Sequence, residues 1–290
     1  MRIAVIASGE LGFYVLKQIH GLMAIEFVMT DKNSDLIEEF CVKNEIPVFI
    51  GNPRNKLSKI FYSRHKIDVL ISVNYLFLID KNLIDHPKLF CFNIHGSLLP
   101  KYRGRTPHIW SIINNEKITG ITAHIIDEGC DTGDILEQIQ IDIEEEDTGA
   151  MILLKYKERY FELITSVLMK IQSGTLKPKQ QFNEYATVFG KRSPKDGIIN
   201  WDWQKERIKN WVRAQAHPYP GAFTFFKKNN LTIDRVSFSN YGFDNKIHNG
   251  TILTIVDGKA IVKTSNGAIV LEEVREQINF KQGNKLGNED

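Results

Sequence analysis

Residues 2–7, Arg-Ile-Ala-Val-Ile-Ala, form an apolar run that stops at Ser8-Gly9, and helical spacing follows through Leu11, Val15, Leu16 and Ile19. A buried strand, a glycine turn and an amphipathic helix, in that order, open a βαβ unit. The alternation repeats. AIEFVMT precedes a helix over Asp35–Lys43, PVFI precedes one over Lys56–Ser63, and DVLISV precedes a short turn. Two further apolar runs, LFCFNIH and GITAHIID, flank a short helix near Pro107–Ile113. Strands alternating with helices predict an α/β fold: a Rossmann-like, mostly parallel sheet with helices on both faces.

A long helix is expected from about Thr148, after Asp147, to Gln172, where Ser173-Gly174 stops it. The polar stretch Leu176–Gln181 contains Pro178 and reads as a linker. Beyond a helix at Gln204–Ala214, short β-like runs alternate with turns: AFTFF, LTIDRVSF, TILTIV, AIVKT and AIVLEEV. Their separators, Lys227-Lys228-Asn229-Asn230, Asp257-Gly258 and Asn266-Gly267, are hairpin signals. The expected division is therefore an α/β domain over residues 1–180 and a small β-rich, OB-like barrel over residues 181–290. The acidic run Glu144–Asp147 reads as a solvated strand-to-helix turn, and the last ten residues as frayed.

The 290 residues carry 37 Lys/Arg against 35 Asp/Glu, so the basic excess expected of a dedicated nucleic-acid binder is missing. Cys41, Cys91 and Cys130 form neither a CxxC pair nor a Cys/His zinc pattern, which points to reduced thiols. The opening resembles a signal peptide, yet Glu10 interrupts it and no small-residue cleavage site follows. No run approaches the roughly 18 apolar residues of a membrane span. A cytoplasmic location is expected, with no membrane partner, and the sequons at Asn230 and Asn249 carry no weight.

Gly9-Glu10-Leu11-Gly12 is a shortened glycine turn without a well-placed acidic partner after the second strand, so nicotinamide binding is disfavoured. The turn at Ser8-Gly9 still allows a helix N-terminus to face an anion. The informative stretch is Asn93-Ile94-His95-Gly96-Ser97-Leu98-Leu99-Pro100. Period-two alternation projects Asn93 and His95 to one side of a strand whose carboxyl end lies where ligands bind in open α/β sheets. The competing explanation is that His95 bonds a loop backbone and Asn93 fixes a turn. Asp131 lies in Gly129-Cys130-Asp131-Thr132-Gly133, where Asp is a common turn-former. Lys101-Tyr102-Arg103-Gly104-Arg105-Thr106-Pro107 is basic and follows the Asn/His strand directly.

Together these three segments resemble the folate-dependent formyltransferase family. The resemblance rests on Asn93-x-His95, Ser97–Gly104 and Gly129–Gly133, and continues through Ile199-Asn200-Trp201 and the stretch Arg213–Ala222 that contains Pro218-Tyr219-Pro220-Gly221. It implies N10-formyl-tetrahydrofolate as cosubstrate and Asn93, His95 and Asp131 as catalytic residues. Asn93 would donate to the oxyanion of a tetrahedral intermediate, His95 would exchange the amine proton, and Asp131 would orient His95. The pterin is expected along Asn74, Tyr75 and Leu76 and the backbone from Asp127 to Asp131, with Tyr75 as a core residue the competing reading. No metal is implied, since none of the eight histidines forms HExxH or a similar set. His124 is expected to be a strand residue, and His217 structural.

Methionyl-tRNA formyltransferases resemble the chain too, but carry a basic insertion after the second strand where this chain has the short, acidic Thr30–Glu39. Residues 181–290 hold sixteen Lys/Arg against twelve Asp/Glu, and residues 1–180 twenty-one against twenty-three. That is a poor surface for tRNA, whose affinity rests on phosphate neutralisation. A glycinamide ribonucleotide formyltransferase leaves the second domain unexplained. The stretches Tyr102–Trp110 and His217–Phe223 look like the sugar N-formyltransferase branch. The expected acceptor is therefore a nucleotide-linked amino-dideoxy sugar, first a dTDP-4-amino-4,6-dideoxyhexose, for surface polysaccharide such as O-antigen. Ser8, Gly9, Lys101, Tyr102, Arg103, Arg105 and Tyr219 are expected to bind it, the arginines at the pyrophosphate and the tyrosines on sugar or base. The branch implies a homodimer. A non-catalytic nucleotide-binding module is the alternative of another class, and it leaves the Asn/His/Asp set without a purpose.

Overall fold

All five residues of β1 (Ile3–Ala7) are buried, the pattern of a strand covered on both faces. The computed structural model describes residues 1–287. In chain order β1 is followed by α1 (Gly9–His20), β2 (Ile25–Thr30), α2 (Asp35–Lys43), β3 (Val48–Ile50) and α3 (Lys56–Tyr62). Next come β4 (Val69–Val73), α4 (Lys81–Ile84), β5 (Phe90–His95), the two-residue β6 (Arg103–Gly104) and α5 (Pro107–Ile113). The series continues with β7 (Ile118–Ile125), β8 (Ile135–Asp142), α6 (Gly149–Gln172), β9 (Val188–Phe189) and α7 (Lys205–Ala214). Five strands end it: β10 (Ala222–Phe226), β11 (Asn229–Ser239), β12 (Ile252–Val256), β13 (Lys259–Thr264) and β14 (Gly267–Val274).

The chain forms two units, each assembled from separate stretches. The first comprises Met1–Gly104, Thr119–Ile141 and Lys155–Phe189; the second comprises Arg105–Ile118, Asp142–Leu154 and the chain from Gly190 onward. In the first, seven strands make one sheet in the order β3-β2-β1-β4-β5-β7-β8. β1 pairs in parallel with β2 and β4, β2 with β3, and β4 with β5, whereas β5 meets β7 antiparallel. The expected mostly parallel sheet is found. β8 escaped the sequence reading because its buried positions, Leu136 and Ile141, are sparse among polar residues. α1 lies close on the sheet because Gly12 has no side chain: a Cβ there would stand 3.0 Å from that of Ala7. The chain leaves β1 toward β2 and later returns on its other side at β4. The carboxyl ends of β1, β4 and β5 thus border the switch point where such sheets bind ligands.

In the second unit β10-β11-β14-β13-β12 form an antiparallel sheet. Both edges are bridged by one segment, Lys285 to Thr251 beside β12 and Gly287 to Phe225 of β10. Leu286 between them is buried, so residues 284–287 close the sheet rather than fray; residues 288–290 lie outside the described residues. α7 packs on β11 and on α5.

Two other expectations change. The presumed linker is tied down: Lys179 and Ile135 exchange both backbone hydrogen bonds, and Gln181 is buried. The acidic turn is only half solvated. Asp147 is buried with Oδ2 accepting from the Glu144 N–H at 2.7 Å, while Glu145 and Glu146 pair with Lys209.

Candidate active site

Asn93 and His95 leave the end of β5 on one side, as strand alternation requires, and Ile94 is buried on the other. The antiparallel register sets Asn93 opposite His124 of β7, so the second imidazole enters the same site. Asp131 completes it from a turn with φ of 55°, a left-handed conformation that Asp tolerates. Its Oδ2 lies 3.5 Å from His95 Nδ1 and its Oδ1 3.5 Å from His124 Nε2. The Gly104 N–H donates to Oδ2 at 2.9 Å.

The tautomers follow from the carbonyls. His95 Nε2–H donates to the Tyr102 carbonyl at 2.8 Å, and His124 Nδ1–H to its neighbour Ile125 at 2.8 Å. A carbonyl can only accept, so in the neutral state the lone pair of His95 sits on Nδ1 and that of His124 on Nε2. Both point at one carboxylate, and Asn93 Nδ2 also donates to His124 Nε2 at 3.2 Å. Burial pushes His95 below its ordinary pKa, opposed by the charge of Asp131 and the Tyr102 carbonyl, with His124 adding to the depression. Burial pulls the Asp131 carboxyl upward, but a hydrogen bond from His124 when that ring is protonated, the charge of the two rings in their imidazolium forms and the Gly104 N–H together hold it well below the usual carboxylate range. His95 is thus held toward its neutral form beside an anion that would stabilise its protonated form. The bland reading, a loop-bonded histidine, is true of Nε2 and leaves Nδ1 free for chemistry.

The other expected residues divide. Asn74, with φ of 52°, and Leu76 are exposed after β4, and Asn74 Nδ2 donates to the Ser8 carbonyl at 3.1 Å. The Tyr75 hydroxyl is buried with no hydrogen-bond partner, and burial together with the charge of Asp31 pushes its pKa up. Asp127 is exposed and fastens the turn, accepting from the Gly129 N–H at 3.0 Å and from Thr132 Oγ1 at 2.7 Å. Ser8 is fully buried, its hydroxyl accepting from the Leu76 N–H at 3.3 Å. The Gly9 N–H is spent on Ser34 Oγ, which donates to Asp31. Asp31 follows β2 directly, but its buried carboxylate is committed to Ser34 and to the Asn33 N–H.

Lys101 and Arg105 are exposed. Tyr102 is buried with its ring stacked on Phe189 at 5.0 Å, and Arg103 is buried with its guanidinium on Gln181 and Asn183. The polar groups of Ser8 and Arg103 and the ring of Tyr102 are thus used inside the fold, which opposes the substrate contacts expected of them. Tyr219, in the second unit, is half-buried; its hydroxyl lies 3.0 Å from His108 Nε2. Sequence reasoning missed His124, although a histidine inside an apolar strand carries the same signal as Asn93: it is costly unless partnered.

The comparisons agree on one family. Residues 53–168 match the formyl transferase family, and residues 191–282 match the formyl transferase C-terminal domain. The chain is 34% identical over 245 residues to the methionyl-tRNA formyltransferase of Acetivibrio thermocellus, covering 82% of this chain and 76% of that one. It is 36% identical over 240 residues to the bifunctional polymyxin resistance protein ArnA of Wigglesworthia glossinidia brevipalpis, covering 80% of this chain but only 36% of that longer protein. The fold is shared with an N-formyltransferase from Helicobacter canadensis in complex with folinic acid and dTDP-3-aminofucose. That likeness has a TM-score of 0.73 and 21% identity, over 93% of this chain and 98% of that one.

Proposed function

Because the chain belongs to the formyltransferase family, we propose that it transfers a formyl group from N10-formyl-tetrahydrofolate to the amine of a nucleotide-linked amino-dideoxy sugar. The observation that carries the chemistry is the convergence of His95 and His124 on Asp131 at the carboxyl edge of the sheet, with Asn93 on His124. The folate supplies the formyl carbon. The exposed Asn74–Leu76 loop, with apolar Leu76 and Leu78 beside polar backbone, suits a flat ring with an amide edge.

Asn93 has two amide hydrogens; one meets His124, and the other is free to meet the formyl oxygen as negative charge develops there. His95 Nδ1 takes the proton released by the attacking amine, and the imidazolium formed faces Asp131. The protonated ring then returns the proton to the departing nitrogen. The Gly104 N–H holds the carboxylate in place throughout.

A sugar acceptor is supported by the four-residue connection between β2 and α2, Asp31–Ser34, which leaves no basic insertion. It is also supported by the dTDP-3-aminofucose complex of the Helicobacter canadensis protein. Arg105 and Lys101, both exposed, are assigned to the pyrophosphate and Tyr219 to sugar or base, with dTDP-4-amino-4,6-dideoxyhexose the first choice. The product would serve surface polysaccharide such as O-antigen, made in the cytoplasm by a homodimer. Among the described residues no helix is long and apolar enough to cross a membrane. The division expected from the sequence, catalysis in residues 1–180 and a β-rich domain in 181–290, belongs to this proposal.

A second reading, methionyl-tRNA as acceptor, is favoured by the 34% identical relative. Formyl transfer from N10-formyl-tetrahydrofolate, assayed on 3-amino and 4-amino dTDP-, UDP- and GDP-sugars beside methionyl-loaded initiator tRNA, decides between them. Turnover confined to charged tRNA would refute the sugar assignment.

A further inference from the structure

Gln181 lies in the segment that the sequence presents as a linker, yet it is only 7% exposed and every polar atom of its amide is engaged. Its Nε2 donates to the carbonyls of Asp131 at 2.9 Å and Gly133 at 2.6 Å, the two residues that bracket Thr132 in the catalytic turn. Its Oε1 accepts from Arg103 Nε at 3.2 Å and Nη2 at 2.8 Å. Asn183 takes Arg103 Nη1 at 3.0 Å. The neighbours of Arg103 are the two backbone groups that hold the site: the Tyr102 carbonyl fixes His95 Nε2, and the Gly104 N–H fixes Asp131 Oδ2. One side chain therefore ties the turn bearing Asp131 to the strand that orients both Asp131 and His95.

The chemistry of the amide suits this place. Two carbonyl acceptors need two N–H donors on one side, and a guanidinium needs an oxygen on the other. We propose that Gln181 is a positioning residue for the transfer reaction, setting the placement of Asp131 against His95 through the 131–133 backbone and through Arg103. The role in turnover rests on the formyl-transfer reading; the placement itself can be read without it.

The test uses the full chain with Gln181→Met, which keeps volume and loses every hydrogen bond. Gln181→Asn stays polar but is too short to span both partners, and it carries the same test should the first variant not fold. Three quantities are measured: kcat, KM for donor and acceptor, and the titration of the His95 ring nitrogens by NMR. The groups facing His95 are Asp131, His124 and the Tyr102 carbonyl. Withdrawing the Asp131 carboxylate removes the charge that favours the imidazolium, so the titration should move to lower pH. Turnover should fall roughly 10- to 100-fold, the scale of about a 1 Å misplacement, with KM within about threefold. A folded variant with wild-type kcat, or with reduced kcat and an unmoved His95 titration, overturns the proposal. If the wild-type protein transfers no formyl group, the His95 titration alone decides: a shift supports the placement role, and no shift overturns it.

Discussion

At the scale of the residue, two imidazoles face one carboxylate, His95 through Nδ1 and His124 through Nε2. Such a cluster gains from taking up one proton, and the amine nucleophile has one to lose. On the proposal that neutral His95 is the base, kcat/KM should rise with pH through the His95 titration and level off. Burial places that acid limb below the ordinary histidine value of 6.5; a limb well above 6.5 would contradict the assignment. Asn93→Ala, His95→Asn and Asp131→Asn should each lower kcat by about 10²- to 10³-fold with circular dichroism and melting temperature nearly unchanged. Near-normal turnover in two of the three would remove the catalytic role. Outside this cluster, burial holds His108 down to about 4, below its ordinary 6.5. The unfolded chain then binds the extra proton first, so stability falls as pH drops from 6.5 toward 4. His108→Gln should flatten that loss in thermal melts recorded between pH 7 and pH 5.

At the scale of the element, the two-residue pair β6 and β9 does more than its length suggests. It holds Gly104 at φ of 96°, where a side chain would collide with the Phe189 carbonyl, and it aims the Gly104 N–H at Asp131. Gly104→Ala should cost about 2 kcal/mol or more and depress turnover as well; an unperturbed melting curve would show that the strand pair yields easily. The larger elements were legible because their signals are local. Asp35–Lys43 and Pro107–Ile113 fall where their apolar spacing puts them, and the Asp257-Gly258 and Asn266-Gly267 turns join β12 to β13 and β13 to β14. That Asn93, His95 and Asp131 lie together was legible through their motifs. His124 was not, because its place in the site depends on β5 and β7 running antiparallel, which no local pattern states. Arg103 misled for a related reason: a guanidinium beside glycine suits a phosphate, and only its distant partners Gln181 and Asn183 reveal that it is spent. β8 was lost because an edge strand needs few apolar residues.

At the scale of the whole molecule, neither unit is a continuous piece of chain. The second unit draws on residues 105–118 and 142–154 through bonds that a cut at residue 180 would remove. Arg213 Nη1 donates to the carbonyls of Glu144 and Asp147, Lys209 pairs with Glu145 and Glu146, and Arg192 lies between Trp110 and Trp211. Residues 181–290 produced alone should therefore melt well below the intact chain or fail to give dispersed NMR signals; a fragment as stable as the parent would show that these ties are dispensable. The packing of α5 on α7 has a further consequence in time. Ile109, Ile112 and Ile113 leave the ribosome roughly 90 residues before α7 does, which at about 5–20 residues per second is some 5–18 s. For that interval the face of α5 that α7 will cover stays open, with Gly149 reaching Ile109 only part-way through, so yield in the cell should depend on what shields that face while synthesis continues as well as on the stability of the finished enzyme.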